Sequence, residues 1–259
     1  MTTVASWNVN SLKVRLPQLG EWLAANPIDV IGLQETKLTD ENFPQGELEN
    51  LGYHVLRSGQ KTYNGVALLS RQPISDIKVD LDGFDDPQRR VAIGTSGGVR
   101  YVNLYVPNGQ AVGSEKYEYK LRWLEALHRT LEAELATHRQ VVVMGDFNIA
   151  PDDRDVHDPA AWAGQILCSD AERGALQRLL GLGFSDSFRL FDQPEASFSW
   201  WDYRQGGFRR NLGLRIDLIL ASDALRAACL GSTVDTAPRR AERPSDHAPV
   251  VARFGPPQP

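Results

Sequence analysis

The stretch Val141-Val142-Val143-Met144-Gly145-Asp146-Phe147-Asn148 constrains this chain more than any other. An apolar run of four residues closed by a glycine is too short for a helix and reads as a fully buried strand. Side chains at i and i+2 of an extended chain project to one side. Asp146 and Asn148 are therefore expected side by side at the mouth of that strand, where α/β proteins keep their chemistry. A carboxylate acceptor beside a neutral amide suits a site that handles a proton and a phosphoryl oxygen together. The plain alternative is an Asx turn after a strand, which the same residues favour.

Over 259 residues no linker or low-complexity block separates two halves, so one domain spanning 1–259 is expected. An apolar fraction of 42% with 24% charged residues fits a soluble globular protein. No apolar stretch approaches the roughly 18 residues that mark a transmembrane helix. The segment Met1-Thr2-Thr3-Val4-Ala5 lacks the basic start and apolar core of a signal peptide. Cys168 and Cys229 are far apart and match no metal-binding spacing. These features predict a reduced cytoplasm as the setting and no membrane partner. The net charge of −5 argues against nucleic-acid binding by bulk charge. Basic residues nonetheless cluster, at Arg89-Arg90, Lys116 with Lys120 and Arg122, Arg204 with Arg209-Arg210, and Arg239-Arg240 with Arg243. Acids gather at Asp152, Asp153, Asp155 and Asp158. A basic face around an acidic metal pocket reconciles the two, and a solvated mixed surface is the bland alternative.

Residues 3–9 alternate as a strand, with Asn8 near its end. Asn10-Ser11 opens a helix on which Leu16, Leu19, Trp22 and Leu23 share a face, with Pro17 in the tolerant first turn. Asn26-Pro27 stops it. Residues 28–33 form the next strand and leave Glu35 at its end, as Asn8 stands at the end of the first. Residues 52–57 and 65–70 read as a strand pair. Residues 91–95 and 99–106 pair across Ser96-Gly97-Gly98 and bring Tyr105 to a strand end. Over 115–138, Leu121, Leu124, Leu127, Leu131 and Leu135 recur at helical spacing, flanked by Lys116, Lys120 and Arg122. Residues 152–169 read as a long, acidic, irregular loop, followed by a helix at 170–180. Residues 197–204 are dense in aromatics beside arginine, the composition of a base-stacking loop and equally of buried packing. Residues 214–220 read as one apolar strand interrupted by Asp217, whose buried carboxylate needs a partner. Asp246-His247 precedes the last strand. Many strands, few helices and no dinucleotide fingerprint favour two packed sheets flanked by helices over a Rossmann fold.

The set Asn8, Glu35, Tyr105, Asp146, Asn148, Asp217, Asp246 and His247 resembles the exonuclease III/AP endonuclease family of the endonuclease–exonuclease–phosphatase superfamily. The motifs that carry the likeness are Ser6-Trp7-Asn8-Val9-Asn10, Leu33-Gln34-Glu35-Thr36-Lys37, Tyr105-Val106-Pro107-Asn108-Gly109, Gly145-Asp146-Phe147-Asn148, Leu214-Arg215-Ile216-Asp217 and Ser245-Asp246-His247. Each is short; their occurrence in family order is what makes the match specific. The resemblance implies an α/β fold, a four-layer sandwich of two mixed sheets face to face with helices outside and the active site at one end. It implies a monomeric, Mg²⁺-dependent phosphodiesterase, with Mn²⁺ as a substitute, acting on double-stranded DNA with abasic sites, nicks or blocked 3′ ends. The family activities are abasic-site incision, 3′→5′ exonuclease and 3′-phosphatase.

The roles follow from the same resemblance, and phosphodiester hydrolysis needs these residue types. Glu35 would hold the metal. Asp146 would take the proton from the attacking water, although which group is the base stays open. Asn148 and Asn8 would donate to non-bridging oxygens and position the base. His247 would polarise the phosphate, Asp217 would fix its ring, and Asp246 would be a second metal-linked carboxylate. Asn8, Asp146, Asn148 and His247 also belong to the implied metal-facing set. Tyr105 would donate to the phosphate or the leaving oxygen. Asn10 stands where many relatives have an acidic ligand. Trp200 and Leu214 match the walls of a pocket for a flipped-out abasic sugar, with Phe198 and Trp201 as packing. Arg89, Arg90, Lys116 and Lys120 are the implied backbone contacts, with Asn10 and Asn108 nearby. Several relatives have a small residue near Leu167, so Leu167 is expected to crowd the sugar pocket and favour work at 3′ ends. Apolar packing in the loop accounts for Leu167 equally well. The rivals are another phosphodiesterase of the superfamily, such as an inositol-phosphate phosphatase, and an inactive relative that binds nucleic acid as a regulator.

Overall fold

Period-two alternation in the strands decides which side chains meet between the sheets. In the computed structural model, which describes residues 1–256, the chain opens with β1 (Thr2–Asn8), α1 (Leu12–Ala25), β2 (Val30–Gln34) and α2 (Gln45–Asn50). It continues through β3 (His54–Ser58), β4 (Val66–Ser70), β5 (Ser75–Lys78), β6 (Val91–Ser96), β7 (Val99–Tyr105), α3 (Glu115–Thr137) and β8 (Val141–Asp146). Then come α4 (Pro159–Trp162), α5 (Asp170–Gly181), β9 (Phe184–Asp186), β10 (Trp200–Trp201) and β11 (Gly213–Leu214). The chain ends with β12 (Asp217–Ser222), α6 (Asp223–Arg226), β13 (Cys229–Val234) and β14 (Val250–Phe254).

One sheet runs β13-β14-β1-β2-β4-β3 and the other β5-β6-β7-β8-β12-β9. Both are mixed: β1 and β2 are parallel, as are β7 and β8, while β1 and β14, and β8 and β12, are antiparallel. Between the sheets Val4, Val66 and Leu68 meet Tyr101, Val142, Met144 and Ile219. Alternate residues of the same strands face outward. Trp7, Ile31 and Leu33 pack under Leu19, Trp22 and Leu23 of α1. Leu104, Val143 and Leu218 pack under Trp123, Leu127 and Leu131 of α3 and Leu176 of α5. Helix, sheet, sheet, helix is the expected four-layer sandwich.

A polar link crosses this core. Gln34 Nε2 donates to Asn103 Oδ1 at 2.7 Å, and Asn103 Nδ2 donates to the Leu33 and Ala67 carbonyls at 3.0 and 2.9 Å. Asn103 occupies the space that a Cβ at residue 32 would need, so that position has to be glycine. Satisfied buried polar groups of this kind fix one mutual placement of two layers. Among the described residues no helix is long and apolar enough to cross a membrane.

Three departures from the sequence reading concern the course of the chain and the acidic loop. Asn10 and Ser11 take φ of 42° and 85°, turning the chain away from β1. The helix therefore begins at Leu12, and Pro17 falls in its second turn, exposed, rather than in the first. Residues 214–220 are not one strand. Arg215 leaves the sheet to bind Asp155 at 2.7 Å and Asp186 at 2.7 Å, which separates β11 from β12 and makes Asp217 the first residue of β12. The acids of 152–169 do not form a metal pocket. Asp152 and Asp158 cap short helical turns, and Asp155, fully buried, is neutralised by Arg215 and Arg189.

Candidate active site

Strand parity delivers the polar residues. Asn8 follows Val4 and Ser6 on the inner face of β1, and Asp146 follows Val142 and Met144 on that of β8. Asp217 precedes Ile219 on β12 and stands opposite Asp146 in the antiparallel register. All three are therefore carried to one end of the sandwich, where the apolar filling stops. Glu35 joins them just past β2 with φ of 51°.

Asn8 ties two carboxylates together. Its Nδ2 donates to Glu35 Oε1 and to Asp146 Oδ2, both at 2.9 Å, and its Oδ1 accepts the Asn10 N–H at 3.0 Å. Both amide protons are thus taken by carboxylates, so Asn8 positions the two acids. Asp217 grips His247: Nδ1 lies 2.9 and 3.1 Å from its two carboxylate oxygens. With Nδ1–H donating there, Nε2 faces Asp146 Oδ2 at 3.7 Å. Glu35, Asp146 and His247 place ligand atoms within 4.8 Å of one another. Two carboxylates that gather oxygen donors in this way suit a hard cation. Asp246 lies outside that group. Its oxygens accept from Asn10 Nδ2 and Trp200 Nε1, each at 3.0 Å.

Asn148 and Asp146 are not aligned as on an extended strand. β8 ends at Asp146, Asn148 turns to φ of 48°, and its N–H donates to Asp146 Oδ1 at 2.9 Å. The Asx turn and the candidate catalytic pair are thus the same residues. Asn148 Nδ2 donates to the Val106 carbonyl at 2.9 Å, and its Oδ1 accepts from Asn108 at 3.3 Å.

Burial pushes the Asp146 carboxyl up to about 7, with the facing His247 opposing. Burial pulls the His247 ring down, but the charges of Asp217 and Asp146 outweigh it and raise it to about 10. The pair is thus an imidazolium beside a carboxylate of near-neutral affinity for a proton. The Tyr105 phenol sits far above its ordinary range, through burial and the charges of Glu35 and Asp146, so it stays protonated and can donate a hydrogen bond.

The basic residues divide. Lys120 is fully buried, with Nζ on Glu172 Oε1 at 2.5 Å, the Asn148 carbonyl at 2.6 Å and the Asn108 carbonyl at 3.1 Å. It cannot reach a nucleic-acid backbone, which corrects that expectation. Arg90 is 9% exposed; it stacks over Tyr105 at 4.7 Å and donates to Gln88 Oε1 and the Tyr105 carbonyl. It braces Tyr105 instead of standing free. Arg89 is half-buried and pairs with Asp80 at 3.2 Å. Lys116 is exposed and, with Tyr63, Asn64 and Asn108, lines a groove of about 740 Å³ beside Tyr105.

Trp200 and Leu214 do meet, as paired residues of β10 and β11. Leu167 packs in the same apolar cluster with Trp162 and Ile216, and is 4% exposed. Its φ is 72°, a left-handed conformation that costs a leucine about 1–2 kcal/mol. Phe198 and Trp201 are buried packing, as expected. Two serines with structural parts in the site escaped the sequence reading. Ser199 Oγ donates to Asp217 Oδ2 at 2.6 Å, and Ser245 Oγ donates to the Asn8 carbonyl at 2.6 Å. Ser245 stands inside a quoted motif, but Ser199 carries no mark in an aromatic loop. Lys37, which holds Glu35 at 3.2 Å and Asn10 Oδ1 at 2.6 Å, was likewise quoted without a role.

The family described as Endonuclease/Exonuclease/phosphatase matches residues 5–247. Exodeoxyribonuclease III of Haemophilus influenzae is 40% identical over 96% of this chain and 98% of its own length. Among solved structures, the 3′ phosphatase NExo from Neisseria, bound to a product DNA hairpin, superposes with a TM-score of 0.97 at 48% identity, covering 98% of this chain and 100% of that one. An AP endonuclease from Archaeoglobus fulgidus superposes with a TM-score of 0.93 at 39% identity, covering 98% and 99%. The chain belongs to the endonuclease/exonuclease/phosphatase family and, within it, to the exonuclease III and AP endonuclease group of nucleases.

Proposed function

We propose that this chain is a Mg²⁺-dependent phosphoesterase of double-stranded DNA that works mainly at 3′ ends, as 3′→5′ exonuclease and 3′-phosphatase, and only secondarily at abasic sites. The relatives divide between these activities, since NExo is described as a 3′ phosphatase and the Archaeoglobus fulgidus protein as an AP endonuclease. The observation that carries the weighting is Leu167, buried in one apolar cluster with Leu214 and Trp200, the two residues that by resemblance would wall the pocket for a flipped-out sugar. An abasic site offers no base to read, so its selection depends on that space being open.

Glu35, with Asp146 and His247 in reach, would hold Mg²⁺ or Mn²⁺, and a hard cation there would supply Lewis-acid stabilisation of phosphate charge. Asp146 takes the proton from the attacking water. Asn8 keeps the two carboxylates apart at fixed spacing. The His247 imidazolium donates from Nε2 to a non-bridging oxygen, and Asp217, braced by Ser199, fixes the ring. Asn148 donates its remaining amide proton to the phosphate, and Tyr105 donates to the phosphate or the leaving oxygen. Preorganised donors of this sort supply most of the rate. Lys116 contacts the DNA backbone. The protein acts as a single catalytic domain, monomeric and cytoplasmic.

The test uses purified protein, Mg²⁺ and three labelled duplexes: an internal abasic site, a nick with a 3′-phosphate, and a plain recessed 3′ end. Asp146→Asn is the control. Turnover concentrated on the two 3′-end substrates supports the reading. Dominant incision at the abasic site overturns the weighting, and silence on all three overturns the assignment.

A further inference from the structure

The reaction as described uses neither Lys120 nor Glu172, yet both are fully buried beneath the site. A buried pair of charges does not persist for its own electrostatic gain, because desolvation consumes most of it. What distinguishes this pair is the company each end keeps. Lys120 Nζ donates to the main-chain carbonyls of Asn148 and Asn108, which sit on two separate turns joined by their side-chain hydrogen bond. Glu172 accepts the main-chain N–H of Leu167 at 3.1 Å, that of Ser169 at 3.1 Å and the Ser169 hydroxyl at 2.7 Å. The Tyr117 hydroxyl meets Ser169 Oγ at 2.8 Å, tying the loop to the helix that carries Lys120. Gly109, at φ of 87°, closes the gap: a Cβ there would stand 3.0 Å from both Ile166 Cδ1 and Lys120 Cδ. The turn at 107–109, Lys120 and the loop at 166–169 are therefore in mutual contact.

We infer that the Lys120 and Glu172 pair is a positioning clamp that couples the phosphate-binding turn to the loop filling the sugar pocket, and so sets the balance between 3′-end and abasic-site cleavage. Neither residue touches substrate. Leu167 keeps its left-handed backbone only because its surroundings over-determine it: Glu172 holds its N–H, and the Ala150 N–H holds its carbonyl at 2.9 Å. Released, Leu167 relaxes and the wall of Trp200 and Leu214 is uncovered. At the other end, Asn148 and Asn108 lose their common anchor and the phosphate step slows. The inference rests on the proposed hydrolysis of phosphate esters at 3′ ends.

The experiment compares wild type with Lys120→Met/Glu172→Gln, which leaves no unpaired buried charge, and with Ser169→Ala, which keeps both charges and removes the hydroxyl that bonds Glu172, meets Tyr117 and caps α5. Readouts are kcat and KM on the 3′-phosphate and abasic duplexes, melting temperature, and amide hydrogen exchange at Leu167 and Ser169. In the double variant kcat on the 3′-phosphate falls about tenfold with KM within about twofold, while the ratio of abasic incision to 3′-phosphate removal rises about tenfold. Protection at Leu167 is lost. Ser169→Ala moves the same ratio about threefold in the same direction, and decides the matter if the double variant fails to fold. An unchanged ratio in the folded variants makes the pair merely structural and overturns the inference alone. Wild-type protein that cleaves neither duplex overturns the underlying reading, and the inference with it.

Discussion

At the strand ends directional bonds hold the carboxylates in place: Asn8 holds Glu35 and Asp146, and Ser199 and His247 hold Asp217. A short distance along, around Trp200, Leu214 and Leu167, the contacts are apolar and the backbone of one residue is strained. The first region defines a chemistry and leaves no freedom, because each side chain is fixed by at least one directional bond. The second defines a shape, and apolar shape tolerates exchange of one hydrophobe for another. On the proposed reading, reaction class and substrate preference rest on different residues. Substitutions in the first region should abolish turnover, while those in the second should redistribute it.

The sharpest way to break that division is Asp146→Asn. The amide keeps the shape and accepts no proton, so kcat should fall by about 10³ or more on every duplex while KM moves little. A loss confined to one substrate would mean that Asp146 selects rather than catalyses. Asp217→Asn comes next, with kcat down by about 10²–10³, since the ring of His247 loses its orientation. It also has a pH consequence. The charge of Asp217 is what raises the His247 pKa against the pull of burial. Without it the imidazolium gives up its proton at lower pH, and the alkaline limb of the rate profile should move down. An unmoved limb would show that His247 is not the titrating donor.

The polar region was legible in the sequence because strand parity and the short motifs speak about the same residues. A carboxylate at the end of an apolar strand has few places to go, and Asp146, Asp217 and Glu35 went there. The sandwich was legible for the same reason, since alternating apolar positions demand a layer on each side. The boundaries of 214–220 were not, because Arg215 is drawn out of the strand by Asp155, sixty residues earlier, which no local pattern reveals. Positive charge was the poorest guide. Lys120 and Arg90 read as backbone contacts from their clustering and the resemblance, yet burial with partners is as open to a long cationic side chain as solvent is. Ser199 was invisible because one hydroxyl in an aromatic loop has no periodic context.

Within the apolar region the expected effect is smaller and of a different kind. Leu167→Gly removes a buried side chain but also relieves its left-handed backbone. Melting temperature should therefore drop less than an ordinary core truncation of about 2–5 kcal/mol would imply. The ratio of abasic incision to 3′-phosphate removal should rise about tenfold, with kcat at 3′ ends within about threefold of wild type. An unchanged ratio would assign Leu167 to loop packing alone.

The mildest change contrasts two lysines one helical turn apart. Lys116 and Lys120 both lie on α3, but Lys116 is exposed at the rim of the groove beside Tyr105 whereas Lys120 is sealed beneath Asn148. Lys116→Ala should raise KM about threefold on all three duplexes and flatten the salt dependence of binding by about one unit of slope, leaving kcat and substrate ratios untouched. A phosphate contact carries no sequence or lesion information, so any substrate-dependent effect would place Lys116 against the reacting end instead. Reading kcat and KM at two salt concentrations separates the cases. A contact with the backbone weakens with added salt in wild type more than in the variant, while a residue acting on the reacting phosphate changes kcat at both.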